Sequence, residues 1–216
     1  MTPRLTEIHI NEVLVYLGYK GGEIDAKLME DIERCAGLLM KTAVPRVVWR
    51  KYSLDEELPV ALQGNDVNEM LSDSREAVFM CATLGAETEL LLRKTQSRSM
   101  ADAVILDCCA SSAIENVCDN FCADLEKELG AHLTDRFSPG YGDMPLTQQT
   151  ELCALLNTAR TVGVTLTPGG LMLPQKSVTA VIGVSDNVQK KRPKGCAYCK
   201  LFGNCEISKE GGNCGK

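Results

Sequence analysis

The stretch RFSPGY, from Arg136 to Tyr141, decides how the rest of this sequence is interpreted. It places a cation, a hydroxyl group, a rigid proline, a permissive glycine and an aromatic ring in one short loop. Glycine lets the backbone approach a ligand closely, proline fixes its own φ angle, and the planar fork of arginine suits a carboxylate. These residue types favour a binding loop for a small, partly aromatic ligand that carries a carboxylate. An ordinary turn with a surface arginine is the alternative that they leave open.

The loop and the segments around it resemble the activation (reactivation) domain of cobalamin-dependent methionine synthase. RFSPGY is similar to the R-x-x-P-G-Y motif of that family, in which this loop binds S-adenosylmethionine. Three further segments are similar and occur in the same order. They are a turn after an apolar run at residues 82–85, a long helix at residues 106–119 and a closing strand pair at residues 166–178. The resemblance extends from about residue 10 to residue 186.

The resemblance implies the fold of that family, a twisted, mainly antiparallel sheet with flanking helices. The residue pattern agrees, because helical and strand-like segments mix without regular βαβ order and therefore favour an α+β domain. Hydrophobic spacing and capping residues predict helices at residues 11–17, 26–44, 65–71 (with Asn65 as the cap), 87–94, 100–129 and 147–156. Strands are predicted at residues 47–49, 58–62, 77–83, 164–167 and 177–184.

The resemblance also implies which residues bind S-adenosylmethionine. Arg136 matches the arginine that would pair with the ligand carboxylate, and Gly140 permits close contact. Ser138 matches a small residue whose backbone faces the adenine, and Tyr141 matches the tyrosine placed where the ligand meets cobalamin. Asp119 lies on the long helix where the family carries an acidic ligand contact; taken alone, it also fits a solvated helix carboxylate.

Two features depart from the family pattern. The family loop often continues with Pro-Ala-Cys-Pro, whereas residues 142–145 here are GDMP. The family also places an acidic residue near its N-terminus to bind the ligand's amino group. Glu12 and Asp25 are acidic residues in that region, and neither is assigned to this role from the sequence.

The resemblance implies a function in the repair of cobalamin. In this repair, an electron from a separate donor and a methyl group from S-adenosylmethionine convert inactive cob(II)alamin to methylcobalamin. The protein contributes by positioning the methyl donor relative to the cobalt. The chain shows no D-x-H-x-x-G cobalamin signature and is short, so we expect an accessory role in trans on the cobalamin-binding module of methionine synthase or another corrinoid protein. A flavodoxin- or ferredoxin-type protein would supply the electron. The alternatives are a non-catalytic scaffold that docks on a corrinoid protein and an iron–sulfur redox protein.

Composition narrows the partners and the location. A net charge of -6 and a pI near 5.1 disfavour nucleic acid, which requires a basic surface. No segment reaches the roughly 18 uninterrupted apolar residues of a membrane span, and the N-terminus lacks a signal-peptide pattern. We therefore expect a soluble, cytoplasmic protein. The two histidines, His9 and His132, are predicted to be structural or surface residues.

The 11 cysteines fall into two groups. One group lies within apolar patterns and is predicted to fill the core: Cys35, Cys81, Cys108, Cys109, Cys118, Cys122 and Cys153. The other follows a basic linker in a tail and consists of Cys196, Cys199, Cys205 and Cys214. Four thiolates suit zinc or an iron–sulfur cluster, and a metal-free tail is the alternative. We expect one domain at residues 1–186 and a linker with a cysteine-rich tail at residues 187–216.

Overall fold

The computed structural model describes residues 2–19, 21 and 24–189 of the chain. The strands are β1 (Arg46–Ser53), β2 (Glu76–Thr83), β3 (His132–Leu133), β4 (Thr165–Leu166), β5 (Met172–Leu173) and β6 (Ser177–Ser185). The helices are α1 (Ile10–Tyr16), α2 (Ala26–Thr42), α3 (Asn65–Leu71), α4 (Ala86–Gln96), α5 (Met100–Leu129), α6 (Gln148–Leu156) and α7 (Thr158–Thr161). The predicted cysteine tail lies outside the described residues.

The principal sheet has four strands in the order β1-β2-β6-β3, and every pairing in it is antiparallel. A separate two-stranded hairpin is formed by β4 and β5. The predicted α+β class with an antiparallel sheet is therefore confirmed.

Strand β2 is apolar on both of its faces because helices cover the sheet on both sides. Val78 and Met80 point into the core beneath α1, α2 and α5. Phe79 and Cys81 point the opposite way, into a second core that contains residues of α3 and α6. This alternation follows from the two-residue repeat of a strand. Complete burial of Phe79 contributes about 2–3 kcal/mol to the free energy of unfolding.

The helix boundaries follow from local capping chemistry. The Ser99 hydroxyl accepts a hydrogen bond from the Asp102 amide at the start of α5, and Gly130 ends that helix in the left-handed conformation. The Asp25 carboxylate accepts a hydrogen bond from the Lys27 amide at the start of α2. The predicted bounds of α5 are therefore confirmed, and Asp25 caps α2.

Two local predictions are wrong. Residues 58–62 form no strand, because the buried Gln148 side chain replaces a strand partner there: it donates to the Ala61 carbonyl at 2.7 Å and accepts from the Gln63 amide at 2.9 Å. Asn65 is the first residue of α3 and does not cap it. The N-cap is Gly64, and the capping carboxylate comes from Asp143, distant in sequence.

Most of the cysteines in the described residues are core residues, as predicted. All seven are free thiols; six are buried, and Cys122 is half-buried. Burial raises the pKa of the Cys109 thiol to about 12. Within the described ranges, no helix is long and apolar enough to span a bilayer.

Candidate functional site

The position of Arg136 is set by an extension of β3 along the edge of β6. The Thr134 amide donates to the Gly183 carbonyl at 3.0 Å, and Phe137 and Val181 exchange backbone hydrogen bonds of 2.9 and 2.8 Å. Neighbouring residues of an extended chain point to opposite faces of the sheet. Phe137 therefore enters the core on the α3 side, while Arg136 lies against α5 on the other side.

Arg136 forms two short ion pairs with α5. Its Nη2 lies 2.6 Å from Glu115 Oε2, and its Nη1 lies 2.6 Å from Asp119 Oδ1. The two carboxylates are four residues apart and therefore share one face of the helix. The Arg136 side chain is only 20% exposed, whereas that of Asp119 is 68% exposed. Nη1 also donates to Cys122 Sγ at 3.8 Å. A guanidinium has five N–H donors, so these three contacts leave other donors for a ligand.

The structure thus brings together two of the predicted binding residues, Arg136 and Asp119, and adds Glu115. Sequence reasoning did not identify Glu115. Its position one helical turn before Asp119 is the signal that could have identified it, because both then face the same side of α5.

A third carboxylate, that of Glu12, approaches from α1. Ser112 of α5 is fully buried, and its hydroxyl donates to Glu12 Oε2 at 2.7 Å. The same hydroxyl accepts from the His9 amide at 3.0 Å, just before α1 begins. Glu12 is therefore held in a defined orientation against the long helix. Asp25, the other acidic residue considered from the sequence, caps α2 instead.

Tyr16 connects α1 electrostatically with the loop. The pKa of its hydroxyl is raised, first by burial and then by the negative charges of Glu12 and Glu115, with a smaller effect from Tyr141. Glu12, Glu115 and Tyr141 therefore all act on the Tyr16 hydroxyl. Ser112, which holds Glu12, lies three residues before Glu115 and so faces the same side of α5. Tyr16 was also missed from the sequence, because nothing local links α1 to a loop so much later in the chain.

The RFSPGY loop is a tight turn that exposes its aromatic residue. The Tyr141 amide donates to the Ser138 carbonyl at 3.1 Å, and the Gly140 amide donates to the Met144 carbonyl at 3.0 Å. Gly140 has a φ angle of 91°, which favours glycine. Tyr141 is 70% exposed. The loop therefore presents its backbone and one aromatic ring in the same segment as the mostly buried Arg136.

The remaining predicted functional residues do not join this site. The four tail cysteines, Cys196, Cys199, Cys205 and Cys214, lie outside the described residues. Among residues 2–19, 21 and 24–189, no group of three or more His, Cys, Asp or Glu side chains is arranged to hold a metal ion. His9 Nε2 lies 3.6 Å from Glu7 Oε1, and both side chains are exposed, which fits the predicted surface role.

Two shallow depressions lie away from the RFSPGY loop. One, of about 360 Å³, is at the C-terminal end of α5 around His132. The other, of about 270 Å³, lies between α6 and β4 around Asn157. Neither is lined by Arg136, Glu115 or Tyr141. The candidate site is defined by converging charges and an exposed loop instead of by either depression.

Comparison with known proteins gives a structural match without a sequence match. No protein-family model and no curated protein sequence matches the chain. Among solved structures, the crystal structure of the MetH reactivation domain bound to AdoHcy superimposes with a TM-score of 0.60. The match covers 88% of this chain and 83% of that one, at 14% sequence identity. The chain therefore has the fold of the MetH reactivation domain.

Proposed function

We propose that this chain binds S-adenosylmethionine at the RFSPGY loop and supports the reductive remethylation of cob(II)alamin on a separate corrinoid protein. The main support is the meeting of Arg136, Glu115 and Glu12 beside the loop, in a fold shared with a domain solved in complex with AdoHcy. Cationic and anionic groups next to each other suit a ligand that carries both a carboxylate and an amino group.

Each end of such a ligand has a matching group here. Arg136 would pair with the carboxylate through donors that Glu115 and Asp119 leave available. Glu12, oriented by Ser112, would accept hydrogen bonds from the amino group. This assigns to Glu12 the role that the sequence left unassigned.

The loop would hold the adenosine part of the ligand. The backbone of Ser138 would face the adenine, and Gly140 would allow close approach because it has no side chain. Tyr141, which is 70% exposed, would lie at the opening towards the partner protein. Asp119, on the helix position where the resemblance implies an acidic ligand contact, would contact the ligand and also hold Arg136 in place.

Bound S-adenosylmethionine would supply the methyl group, and cobalamin carried by the partner would accept it. The contribution of this chain is then positioning, since its residues bind both charged ends of the ligand and leave the sulfonium accessible. The proposed partner is the cobalamin-binding module of methionine synthase or a related corrinoid protein, with a flavodoxin- or ferredoxin-type electron donor. We place this activity in the cytoplasm and in the domain at residues 1–186.

The test is a reactivation assay. The chain is mixed with a cob(II)alamin-loaded methionine synthase module, a reductant and S-adenosylmethionine, and the methylcobalamin spectrum is followed. We expect the spectrum to form with the wild type and to fail with Arg136→Ala, which should weaken ligand binding by about 2–3 kcal/mol. Arg34→Ala is the control, because Arg34 also pairs with two acidic residues, Asp31 on its own helix α2 and Asp102 on α5. Failure of the wild type to form methylcobalamin would refute the proposal.

A docking scaffold without ligand binding is the second candidate. The observation in its favour is that both Nη atoms of Arg136 already have acidic partners within the chain. Calorimetric titration with S-adenosylmethionine distinguishes the two functions. A scaffold would bind the corrinoid protein but take up no ligand, in the wild type and in Arg136→Ala alike.

We further propose that the four tail cysteines bind one metal centre, either zinc or an iron–sulfur cluster. The support is their number and their Cys-x2-Cys start. Metal analysis of anaerobically purified protein identifies the element, and a visible absorption band would indicate a cluster that could carry the electron. Protein without stoichiometric metal would contradict this proposal.

A further inference from the structure

The GDMP stretch at residues 142–145, which departs from the family pattern, connects the binding loop to α3. Asp143 is exposed, yet both of its carboxylate oxygens accept backbone hydrogen bonds from that helix. Oδ2 accepts from the Asn65 amide at 2.8 Å, and Oδ1 accepts from the Asp66 amide at 3.1 Å. Asp143 therefore supplies the cap of a helix distant in sequence.

The helix has no capping side chain of its own. Its N-cap is Gly64, with a φ angle of 121°. A Cβ atom on Gly64 would lie 2.8 Å from Asp143 Oδ1 and 3.2 Å from the Met144 backbone nitrogen. Only glycine therefore lets the two backbones approach this closely. The first turn of α3 and the end of the loop are complementary surfaces.

Two backbone hydrogen bonds extend this constraint to the ligand-facing residues. The Gly140 amide donates to the Met144 carbonyl at 3.0 Å, and the Met144 amide donates to the Tyr141 carbonyl at 3.0 Å. Met144 is almost fully buried, and it lies in the same core as Val67 of α3. The position of Asp143 thus fixes the closed end of the loop that carries Gly140 and Tyr141.

We propose that Asp143 is a positioning residue, which fixes the binding loop by capping α3 and thereby sets the affinity of the loop for its ligand. The effect on affinity rests on the proposed function, whereas the effect on loop geometry does not. Asp143 does not need to touch the ligand, because it acts through the backbone of Gly140 and Tyr141. Because the loop is already ordered before the ligand binds, less conformational entropy is lost on binding.

The test compares Asp143→Ala, which removes both acceptors, with Asp143→Asn, which keeps one acceptor oxygen. Asp25→Ala is the control, because the Asp25 carboxylate also caps a helix, accepting one hydrogen bond from the Lys27 amide of α2. Hydrogen exchange of the ligand-free proteins reports on the Gly140 and Met144 amides. Titration with S-adenosylmethionine reports on affinity, and thermal melting reports on stability.

We expect hydrogen exchange at the Gly140 and Met144 amides to be slowest in the wild type, faster in Asp143→Asn and fastest in Asp143→Ala. Affinity should fall in the same order, by about fivefold for Asp143→Ala, the loss that corresponds to one helix cap. Asp25→Ala should lower the melting temperature and leave both loop readouts unchanged. Unchanged loop exchange in Asp143→Ala, or an equal change in Asp25→Ala, would overturn the inference. If the wild type binds no S-adenosylmethionine, the proposed function fails, and the exchange data still decide whether Asp143 positions the loop.

Discussion

The Arg136 guanidinium and the Asp119 carboxylate are joined by a contact of 2.6 Å between Nη1 and Oδ1, from the RFSPGY loop to the long helix α5. The arginine is mostly buried, whereas the aspartate is mostly exposed. Glu115 completes the arrangement at 2.6 Å from Nη2. The geometry requires a planar cation with separate nitrogen donors, which arginine provides and lysine does not.

Replacing Arg136 by lysine tests this requirement. A single ammonium group cannot reproduce two directed contacts and also offer a fork to a ligand carboxylate, so affinity for S-adenosylmethionine should fall at least about tenfold. Because both carboxylates are substantially exposed, the free energy of unfolding should change by less than about 1 kcal/mol. Titration calorimetry and urea unfolding measure the two quantities. Arg34→Lys is the control, and wild-type affinity in Arg136→Lys would contradict the prediction.

Ser112→Ala tests whether Ser112 orients Glu12 for ligand binding. A control variant accounts for the simultaneous loss of a contact that holds the N-terminal segment. The substitution leaves the His9 amide without its acceptor and should cost about 1–3 kcal/mol of stability. It should also weaken binding of S-adenosylmethionine but not of an analogue without the amino group. In the control Asn116→Ala, the Thr6 amide loses its acceptor while the contact between Ser112 and Glu12 remains. Equal losses for both ligands would show that Glu12 does not bind the amino group.

Gly140→Ala should weaken ligand binding and strain the loop. The φ angle of 91° is unfavourable for alanine and should cost about 1–2 kcal/mol. The added Cβ would meet only Leu146 Cδ1, at an ordinary 3.5 Å, so the strain comes from the backbone angle. Gly170→Ala is a matched control, because its φ angle is 81° and its Cβ would meet no atom within 4 Å. Both variants should lose stability, but only Gly140→Ala should lose affinity for S-adenosylmethionine. Equal affinities of Gly140→Ala and Gly170→Ala in a calorimetric titration would contradict this prediction.

Buried thiols should make the protein sensitive to alkaline pH. Burial raises the pKa of Cys109 from its ordinary value near 9 to about 12. The folded state therefore keeps this proton while the unfolded state loses it, so the contribution to stability is complete below pH 9 and is lost as pH rises towards 12. The loss is about 1.4 kcal/mol per pH unit.

Urea unfolding at pH 8, 9 and 10 measures this effect. The free energy of unfolding should fall with pH more steeply in the wild type than in Cys109→Ala, whose cavity lowers stability equally at each pH. Val117→Ala, which also leaves a cavity beside α5 but removes no titrating group or hydrogen bond, should keep the wild-type slope. Parallel curves for wild type and Cys109→Ala would refute the assignment of this effect to Cys109.

Sequence reasoning succeeded where structure depends on neighbours along the chain. The bounds of α5 follow from Ser99 and Gly130, and the central strand β2 follows from a compact apolar run. It failed at residues 58–62 and at Asn65, because in both places a side chain from residues 143–148 supplies the hydrogen bonds. A local pattern cannot reveal a partner so far away in sequence.

The candidate site likewise contains residues that the sequence identifies and contacts that only the tertiary structure shows. Arg136, Gly140 and Tyr141 belong to one loop and are recognisable by residue type, since charge, φ freedom and aromatic character are properties of single residues. Their surroundings are not local. Glu12 and Ser112 are 100 residues apart in the chain and meet because α1 packs on α5.

Residue order alone accounts for the helical and strand periods, the antiparallel α+β class and the loop that carries the arginine and the tyrosine. The tertiary structure alone places Glu115 and Asp119 on Arg136, Glu12 on Ser112, and Asp143 on the first turn of α3. The physical reason is the sequence separation over which each kind of contact acts. Periodicity reports on contacts within a few residues, whereas ion pairs and helix caps between distant segments exist only after the two cores have packed on the sheet.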